Sequence, residues 1–282
     1  MMKKSAFCKL LAFFVVFVLA IAPVFAKSVN FAVISDVHYN DGNAKGAKAD
    51  AKKILKGAVQ RMNEERPDFV VFLGDNIDRS KSPLLKGFLT AISPIKSPYY
   101  IVVGNHDSYK YSGMNREEFG KIVSDYNPNQ KKYTPNYVFH PTSDIAAVVV
   151  DSVSPGMFGS HGYFTQETLS WLDETLKKYR NKKVIIFQHV PAFEPVPNER
   201  ANIINEREYQ DVLKKHNNIL MVVSGHYHYA SIKQDEKGVY HFSVPALYEE
   251  PYYYGVMRID YDKTPLCAPA NFKINGAFKE AF

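Results

Sequence analysis

The feature that most constrains the fold is a series of five short apolar runs, each followed by residues that can bind a metal ion. The runs are five or six residues long, the length of a buried strand, and cover residues 30–35, 69–73, 99–103, 184–188 and 219–224. The blocks that follow them are Asp36-Val37-His38, Gly74-Asp75-Asn76-Ile77-Asp78, Gly104-Asn105-His106-Asp107, His189 and Gly225-His226-Tyr227-His228. Polar side chains at the carboxyl ends of neighbouring strands converge on one edge of a sheet. The sequence therefore predicts a site that several strands build together.

The five blocks supply carboxylates, imidazoles and one carboxamide, which form a mixed set of oxygen and nitrogen ligands. Such a set suits Zn, Fe or Mn better than Mg or Ca, which prefer oxygen ligands alone. Two ions about 3.5–4 Å apart can share a carboxylate and a hydroxide, lower the pKa of bound water and clamp a phosphoryl group. The blocks therefore predict a hydrolase that uses two divalent metal ions.

One histidine in these blocks is a candidate for proton transfer. His106 lies beside the candidate ligand Asn105 and can itself stay free of metal. A free imidazole in that position would donate a proton to the leaving oxygen, as general acid catalysis requires. An acidic neighbour, Asp78 or Asp107, would hold the ring in its cationic and oriented form.

The rest of the chain alternates between helical and strand patterns, which is typical of an α/β (α+β) protein. The composition, 46% hydrophobic and 23% charged, is that of a globular protein with a substantial core. Helices are expected at residues 47–65, 82–92, 116–126, 165–179 and 206–215, and further strands at 137–140, 145–151, 229–234, 239–244, 253–261 and 271–274. We therefore expect one domain with two packed sheets flanked by helices.

The first 26 residues have the pattern of a secretory signal peptide. Lys3 and Lys4 precede the apolar stretch Leu10–Ile21, and Val24-Phe25-Ala26 resembles a cleavage site. The apolar stretch is shorter than the roughly 20 residues that span a bilayer. We therefore expect a secreted or periplasmic protein without a stable membrane span after cleavage. An uncleaved N-terminal anchor is the alternative.

Cleavage would change the charge and the cysteine content of the chain. Loss of Lys3, Lys4 and Lys9 would lower the formal net charge from +6 to +3, which gives little support to nucleic-acid binding. Cys267 would be the one cysteine left, so neither an internal disulfide nor a thiolate metal site is expected.

The order of the five blocks closely resembles the calcineurin-like metallophosphoesterase superfamily, over residues 30–228. The resemblance implies that residues 27–282 form a four-layer α/β/β/α sandwich with a dinuclear centre at the strand ends. It implies that the first ion is held by Asp36, His38, Asp75 and His228. It implies that the second ion is held by Asp75, as the bridge, with Asn105, His189 and His226. His106 matches the catalytic histidine of the family, and Asp78 matches the acid that pairs with it.

The chain differs at two places from known branches of the superfamily, and these differences argue against the functions of those branches. Arg79 stands where the phosphoprotein phosphatase branch has a phosphate-binding arginine, but Ser80 replaces the next glycine and the second arginine is missing. The segment Gly162-Tyr163-Phe164-Thr165 looks like the branch with purple acid phosphatases and cyclic-nucleotide phosphodiesterases. Asp78 stands where a purple acid phosphatase has its tyrosine ligand, so a charge-transfer iron site is not expected.

The resemblance implies a phosphoesterase that hydrolyses a phosphate mono- or diester by attack of a metal-bridging hydroxide, with His106 as general acid. A small-molecule or lipid phosphoester is the expected substrate, and the choice between monoester and diester stays open, as does the oligomeric state. Alternatives are a non-catalytic binding module that keeps the fold and, with less support, a nuclease. Four tyrosines either pack in the core or form an aromatic wall beside the site: Tyr248, Tyr252, Tyr253 and Tyr254.

Overall fold

The computed structural model describes residues 27–42, 48, 50–108, 113–153, 160–197, 202–261 and 272–281. The predicted signal segment and Cys267 lie outside these residues. The described strands are β1 (Lys27–Ile34), β2 (Phe69–Phe72), β3 (Tyr99–Ile101), β4 (Tyr137–Phe139), β5 (Ile145–Val149), β6 (Lys183–Phe187), β7 (Ile219–Ser224), β8 (Ser231–Gln234), β9 (Tyr240–Ser243), β10 (Tyr253–Tyr261) and β11 (Phe272–Glu280). The described helices are α1 (Ala51–Glu65), α2 (Ser82–Ile92), α3 (Arg116–Tyr126), α4 (Gln166–Lys178) and α5 (Glu206–Lys214). None of these helices is long and apolar enough to cross a bilayer.

The strands form two mixed sheets. The first has the order β11-β10-β1-β2-β3, with β1, β2 and β3 parallel. Strand β10 pairs antiparallel with β1, and β11 pairs antiparallel with β10. The second has the order β4-β5-β6-β7-β9-β8, with β5, β6, β7 and β9 parallel and an antiparallel strand at each edge. The carboxyl ends of the central parallel strands therefore point in a common direction within each sheet.

The sheets pack face to face, and helices cover both outer faces. Alternate residues of β1 point to opposite faces, so Phe31 lies in the core between the sheets while Ala32 lies under the helices. Phe31 stacks on Phe69 of its own sheet at 4.9 Å and meets the edge of Phe187 of the other sheet at 5.7 Å, measured between ring centroids. Helices α1, α2 and α3 pack on the first sheet, and α4 and α5 pack on the second. This confirms the predicted four-layer α/β/β/α arrangement.

Local signals in the sequence explain where several helices begin and end. The side chain of Thr165, the predicted N-cap of α4, accepts a hydrogen bond from the backbone N–H of Thr168. Pro83 occupies the first turn of α2, where a missing N–H costs nothing. Both bounds of α2 and of α3 agree with the prediction, whereas α1 is described from Ala51, and its predicted start at Ala47 lies outside the described residues.

The last strand is longer than its sequence pattern indicates. We predicted residues 271–274, but β11 extends to Glu280 and pairs with the whole length of β10. Gly276 interrupts the apolar alternation of β11, which hides the second half of the strand from pattern analysis. A Cβ at this position would lie 3.1 Å from the Phe242 ring of the other sheet, a tight contact.

Candidate metal centre

The five polar blocks meet at one rim of the sandwich, where main-chain hydrogen bonds tie them together. In the first sheet, the N–H of Asp36 donates to the carbonyl of Gly74 at 3.1 Å, and that of His38 donates to the carbonyl of Asp75 at 2.9 Å. In the second sheet, the N–H of Gly225 donates to the carbonyl of His189 at 2.9 Å. The parallel strand ends thus fix the blocks relative to one another before any side-chain contact is made.

Most of the predicted ligands have a left-handed backbone. Non-glycine residues rarely adopt this conformation, which costs roughly 1–2 kcal/mol per residue. The φ angles are 50° for Asp36, 47° for His38, 49° for Asp75, 68° for His226 and 55° for His228. The left-handed turn redirects each side chain out of the strand direction and toward the rim. Such strain at a cluster of chemically active residues is typical of a functional site.

Glycines allow the blocks to approach one another closely. Gly74 has a φ of +100°, and a Cβ there would lie 2.6 Å from Nδ1 of His189. A Cβ at Gly104 would lie 2.1 Å from the backbone nitrogen of Asp75 and 2.2 Å from its Oδ1. Only glycine fits these two positions, because any side chain would push apart the segments that carry the predicted ligands.

The first cluster of metal-binding atoms consists of Asp36, His38 and His228. Nε2 of His228 lies 3.3 Å from Oδ1 of Asp36. Oδ2 of the same carboxylate accepts hydrogen bonds from the Ser35 hydroxyl and, at 2.9 Å, from the N–H of His226. Asp36 is therefore oriented through one oxygen and presents the other to the cluster.

The second cluster consists of Asp75, His189 and His226, with Asn105 beside them. Nε2 of His189 lies 3.4 Å from Oδ1 of Asp75, 3.0 Å from Oδ1 of Asn105 and 3.1 Å from Nδ1 of His226. Asp75 also lies 3.8 Å from Nε2 of His38, so its carboxylate faces both clusters. The structure thus brings together all seven predicted ligands, and the Asp75 carboxylate lies within 3.8 Å of a ring nitrogen of each cluster.

The chemistry of these atoms fits two cations. Nε2 of His38 and Nε2 of His226 are buried, and neither has a hydrogen-bond partner among the described residues. Buried polar atoms without a partner are costly, and each one calls for an unseen water, ion or ligand. An ion bound by carboxylate oxygens and imidazole nitrogens would satisfy both atoms.

In the metal-free protein, protons balance the charge of the buried carboxylates. Burial opposes ionisation, yet His228 and His189 hold the pKa of Asp36 well below its usual value. In return, and also against burial, Asp36 and Glu249 raise the pKa of His228 to about 10, while Asp75 and Asp36 raise that of His189 to about 9. Burial and the charge of His189 lower the pKa of His226 to about 4. The imidazolium forms of His228 and His189 therefore accompany the carboxylates of Asp36 and Asp75 at neutral pH.

The predicted general acid, His106, lies at the mouth of this cluster, and 35% of its side chain is exposed. Its Nε2 is 3.9 Å from Oδ2 of Asp75. Its Nδ1 donates to the main-chain carbonyl of Asp78 at 2.9 Å. The predicted pairing of His106 with the Asp78 carboxylate is therefore absent: Asp78 contacts the ring through its backbone, while its carboxylate accepts from Lys48 at 2.8 Å and lies 3.6 Å from Nδ1 of His38.

Asp107, the other acid considered as a partner of His106, supports the loops. Its carboxylate accepts from the backbone N–H of Gly104 at 2.8 Å and of Ile77 at 3.1 Å, and from the side chain of Asn76 at 2.8 Å. Burial, reinforced by the charge of Asp75, raises the pKa of Asp107 to about 6. This residue joins the second and third polar blocks and does not contact the His106 ring.

Two charged residues at the rim have no sequence pattern that identifies them. Lys48 lies 3.1 Å from Nδ1 of His38, and Glu249 lies 2.9 Å from Nδ1 of His228. Neither belongs to a recognisable block, and both reach the site through loop geometry. Of the tyrosine cluster, Tyr248 meets the rings of His38 and His228 at 4.9 and 5.5 Å, whereas Tyr254 is fully buried and donates to Glu65.

The pattern of a known family matches most of the described chain. It is named calcineurin-like phosphoesterase and covers residues 29–230, which contain all five blocks. The chain belongs to this family. It is therefore a phosphoesterase. Two of its relatives are named as enzymes that cleave phosphodiester or diphosphate bonds.

Two curated relatives and one solved structure illustrate these similarities. This phosphoesterase is 28% identical over 205 residues to a probable glycerophosphodiester phosphodiesterase, GpdQ, of Arcobacter nitrofigilis, covering 70% of this chain and 71% of the relative. It is 24% identical to a manganese-dependent ADP-ribose/CDP-alcohol diphosphatase of Arabidopsis thaliana, covering 79% of this chain and 87% of the relative. Its fold matches the crystal structure of a dimetal phosphatase from Danio rerio with a TM-score of 0.67 and 18% identity, covering 86% of this chain and 98% of that one.

Proposed function

We propose that this phosphoesterase hydrolyses small-molecule phosphodiesters or diphosphate diesters with two divalent metal ions, of which Mn²⁺ is the first to test. The observation that carries the proposal is the position of Asp75, whose carboxylate faces both clusters of metal-binding atoms. Asp36, His38 and His228 would complete the site of the first ion. Asn105, His189 and His226 would complete the site of the second.

At such a centre, the ions and the side chain of His106 would have different roles. When bound, the two ions would activate water and neutralise charge that develops on the phosphoryl group. The backbone of Asp78 holds the His106 ring by its Nδ1–H and leaves Nε2 on the side of the metal-binding cluster. Nε2 of the imidazolium form can then donate a proton to the leaving oxygen, which is worth about 10²–10⁴-fold in rate.

The charges around the mouth favour a phosphoryl group with organic groups on both sides. A terminal phosphate carries about two negative charges and is usually gripped by several cationic side chains. Among the described residues that contact the ligand cluster, Lys48 supplies the one lysine or arginine side chain, and Asp78 already pairs with it. Arg79 donates to Asp41, and its Nε lies 3.8 Å from the Asp78 carboxylate, so acidic neighbours pair with this side chain as well. The names of the relatives, a glycerophosphodiester phosphodiesterase and a diphosphatase for ADP-ribose, agree with a diester.

A substrate panel with the Mn²⁺-reconstituted protein tests the proposal. We expect faster turnover of bis(p-nitrophenyl) phosphate and of a diphosphate diester than of p-nitrophenyl phosphate. A strong preference for the monoester would refute the proposed substrate class, and no turnover of any phosphoester would refute the proposed function.

Two variants test the assigned residues. Asp75→Asn should abolish turnover and metal binding together, because it removes the charge from the carboxylate that faces both clusters. His106→Ala should lower kcat by about 10²–10⁴-fold while the metal content stays that of the wild type. His140→Ala, which removes an exposed histidine that contacts Tyr179, is the matched control. Full activity of His106→Ala would remove His106 from the proposed mechanism.

A further inference from the structure

The proposed ligand His228 is held on its far side by a carboxylate that no polar block contains. Oε1 of Glu249 lies 2.9 Å from Nδ1 of His228, and Nε2 of the same ring lies 3.3 Å from Oδ1 of Asp36. The imidazole therefore bridges two carboxylates, one inside the metal-binding cluster and one outside it. A proton on Nδ1 that is donated to Glu249 leaves the Nε2 lone pair free for an ion.

Glu249 is held in place by a segment that is anchored to the site itself. The N–H of Leu247 donates to the carbonyl of Ser35 at 2.9 Å, and Ala246 forms a parallel β-bridge with Ser35, the residue before Asp36. Ala246 and Leu247 are each only 1% exposed. The backbone that carries Glu249 is therefore packed against the first polar block, and its distance from the centre is set by the fold.

His228 needs such support more than the other rings do. His189 is fully buried, and its Nδ1 donates to the main-chain carbonyl of Leu73 at 2.8 Å, so packing and a neutral acceptor hold it. The His228 side chain is 26% exposed and follows a left-handed backbone turn. A charged acceptor orients a ring more strongly than a carbonyl does and also makes its ligating nitrogen more basic.

A donor other than Glu249 near Nδ1 of His228 would favour the tautomer that cannot bind an ion through Nε2. The Tyr248 hydroxyl lies 3.4 Å from Nδ1 of His228 and hydrogen-bonds to the Glu249 carboxylate; without that carboxylate it could donate to Nδ1 instead. A ring that accepts at Nδ1 carries its proton on Nε2, and that nitrogen then cannot ligate an ion. The carboxylate of Glu249 excludes this arrangement, because it can only accept.

We propose that Glu249 is a positioning residue that sets the orientation and tautomer of His228 for metal binding. The proposal rests on the proposed function, since it assigns His228 to the first ion. Glu249 acts through His228 and is not itself a metal ligand. Its removal should weaken the affinity for metal before it affects the fold, because 42% of its side chain is exposed.

The test compares Mn²⁺ affinity, measured by calorimetric titration of the metal-free protein, among four proteins. Glu249→Gln keeps the shape but removes the charge, and Glu249→Ala removes the contact as well. Glu250→Gln is the matched control. The carboxylate of Glu250 is next to Glu249 in the chain, is exposed, and accepts a hydrogen bond from the Tyr252 hydroxyl. We expect Glu249→Ala to weaken Mn²⁺ binding by about 10–100-fold, Glu249→Gln to weaken it by less, and Glu250→Gln to bind like the wild type.

Two further readouts separate positioning from a structural role and from the proposed function. The metal-free Glu249→Ala protein should keep the far-UV circular dichroism spectrum and the single cooperative unfolding transition of the wild type, with a midpoint lowered only by the lost ion pair with His228. Loss of that spectrum or of that transition would assign the residue to the fold. Activation by Mn²⁺ should shift to higher concentration in proportion to the affinity. Equal affinity in Glu249→Ala and Glu250→Gln would overturn the positioning role alone. A wild-type protein that binds no divalent ion would overturn the proposed function and this role with it.

Discussion

Metal binding should displace protons from the centre, and the structure gives their number. Burial favours neutral imidazoles, but the adjacent carboxylates outweigh it and raise the pKa of His228 to about 10 and that of His189 to about 9. Both rings therefore carry an extra proton at about pH 7.5. A ring that ligates a cation must release the proton from its ligating nitrogen. Loading both ions should thus release about two protons from these rings, in addition to the proton that a metal-bound water loses when it becomes hydroxide.

The pH dependence of the affinity follows from the same competition. Each displaced proton makes the affinity about tenfold tighter per pH unit, so the two ring protons alone should make the product of the two dissociation constants fall at least about a hundredfold per unit up to the pKa of His189. The metal-free protein should show the opposite trend. The raised pKa values of these rings stabilise the fold fully below the usual histidine pKa of about 6.5, and this stability is lost as the pH rises through about 9 and 10.

Calorimetric titration of Mn²⁺ in two buffers with different ionisation enthalpies measures the proton release directly. The same titration at three pH values gives the slope of the affinity, and thermal unfolding in the presence of a chelator gives the trend for the metal-free protein. His216→Ala is a suitable control, because His216 pairs with Asp173 outside the centre. Release of fewer than about one proton in total, or an affinity that is independent of pH, would refute this account of the metal-free charge balance.

Three further variants test the construction of the rim and the helices. Gly104→Ala should lower the free energy of unfolding by about 2–3 kcal/mol in urea denaturation and weaken Mn²⁺ binding, since the new Cβ would overlap backbone and side-chain atoms of Asp75; wild-type affinity would contradict this. Arg66→Gly should stabilise the protein by about 1 kcal/mol and raise the melting temperature by a few degrees, because Arg66 ends α1 with a φ of 50°; a lower melting temperature would count against it. Thr165→Ala should cost about 1 kcal/mol through loss of the N-cap of α4, and Thr165→Ser should restore most of it.

The sequence predicted the meeting of the polar blocks because strand ends follow from apolar runs, and parallel strands end at a common rim. The prediction is weaker wherever a loop sets the direction of a side chain. Asp78 contacts His106 through its carbonyl and turns its carboxylate toward Lys48, and spacing along the chain carries no information about that choice. Glu249 was missed for a related reason, since 21 residues separate it from His228.

Element bounds show the same limit. Helix α2 has an uninterrupted amphipathic pattern between Lys81 and Ser93, and both of its bounds were predicted correctly. Strand β11 was predicted too short because Gly276 breaks the alternation, although its partner β10 pairs with β11 over the whole length. Pairing with a neighbouring strand extends β11 past the glycine, and a local pattern does not contain that information.

The left-handed backbone at the rim applies two separate requirements to the same positions. His38, His226 and His228 must supply a ring nitrogen, and each must also tolerate a positive φ, which β-branched residues do not. Asparagine, aspartate and glycine meet the second requirement without the first. A descendant that no longer needed metal would therefore be expected to collect these three residue types here. The loops of such a descendant would keep their backbone conformation after metal binding was lost. The residue types at these positions would then indicate that the site had once bound metal.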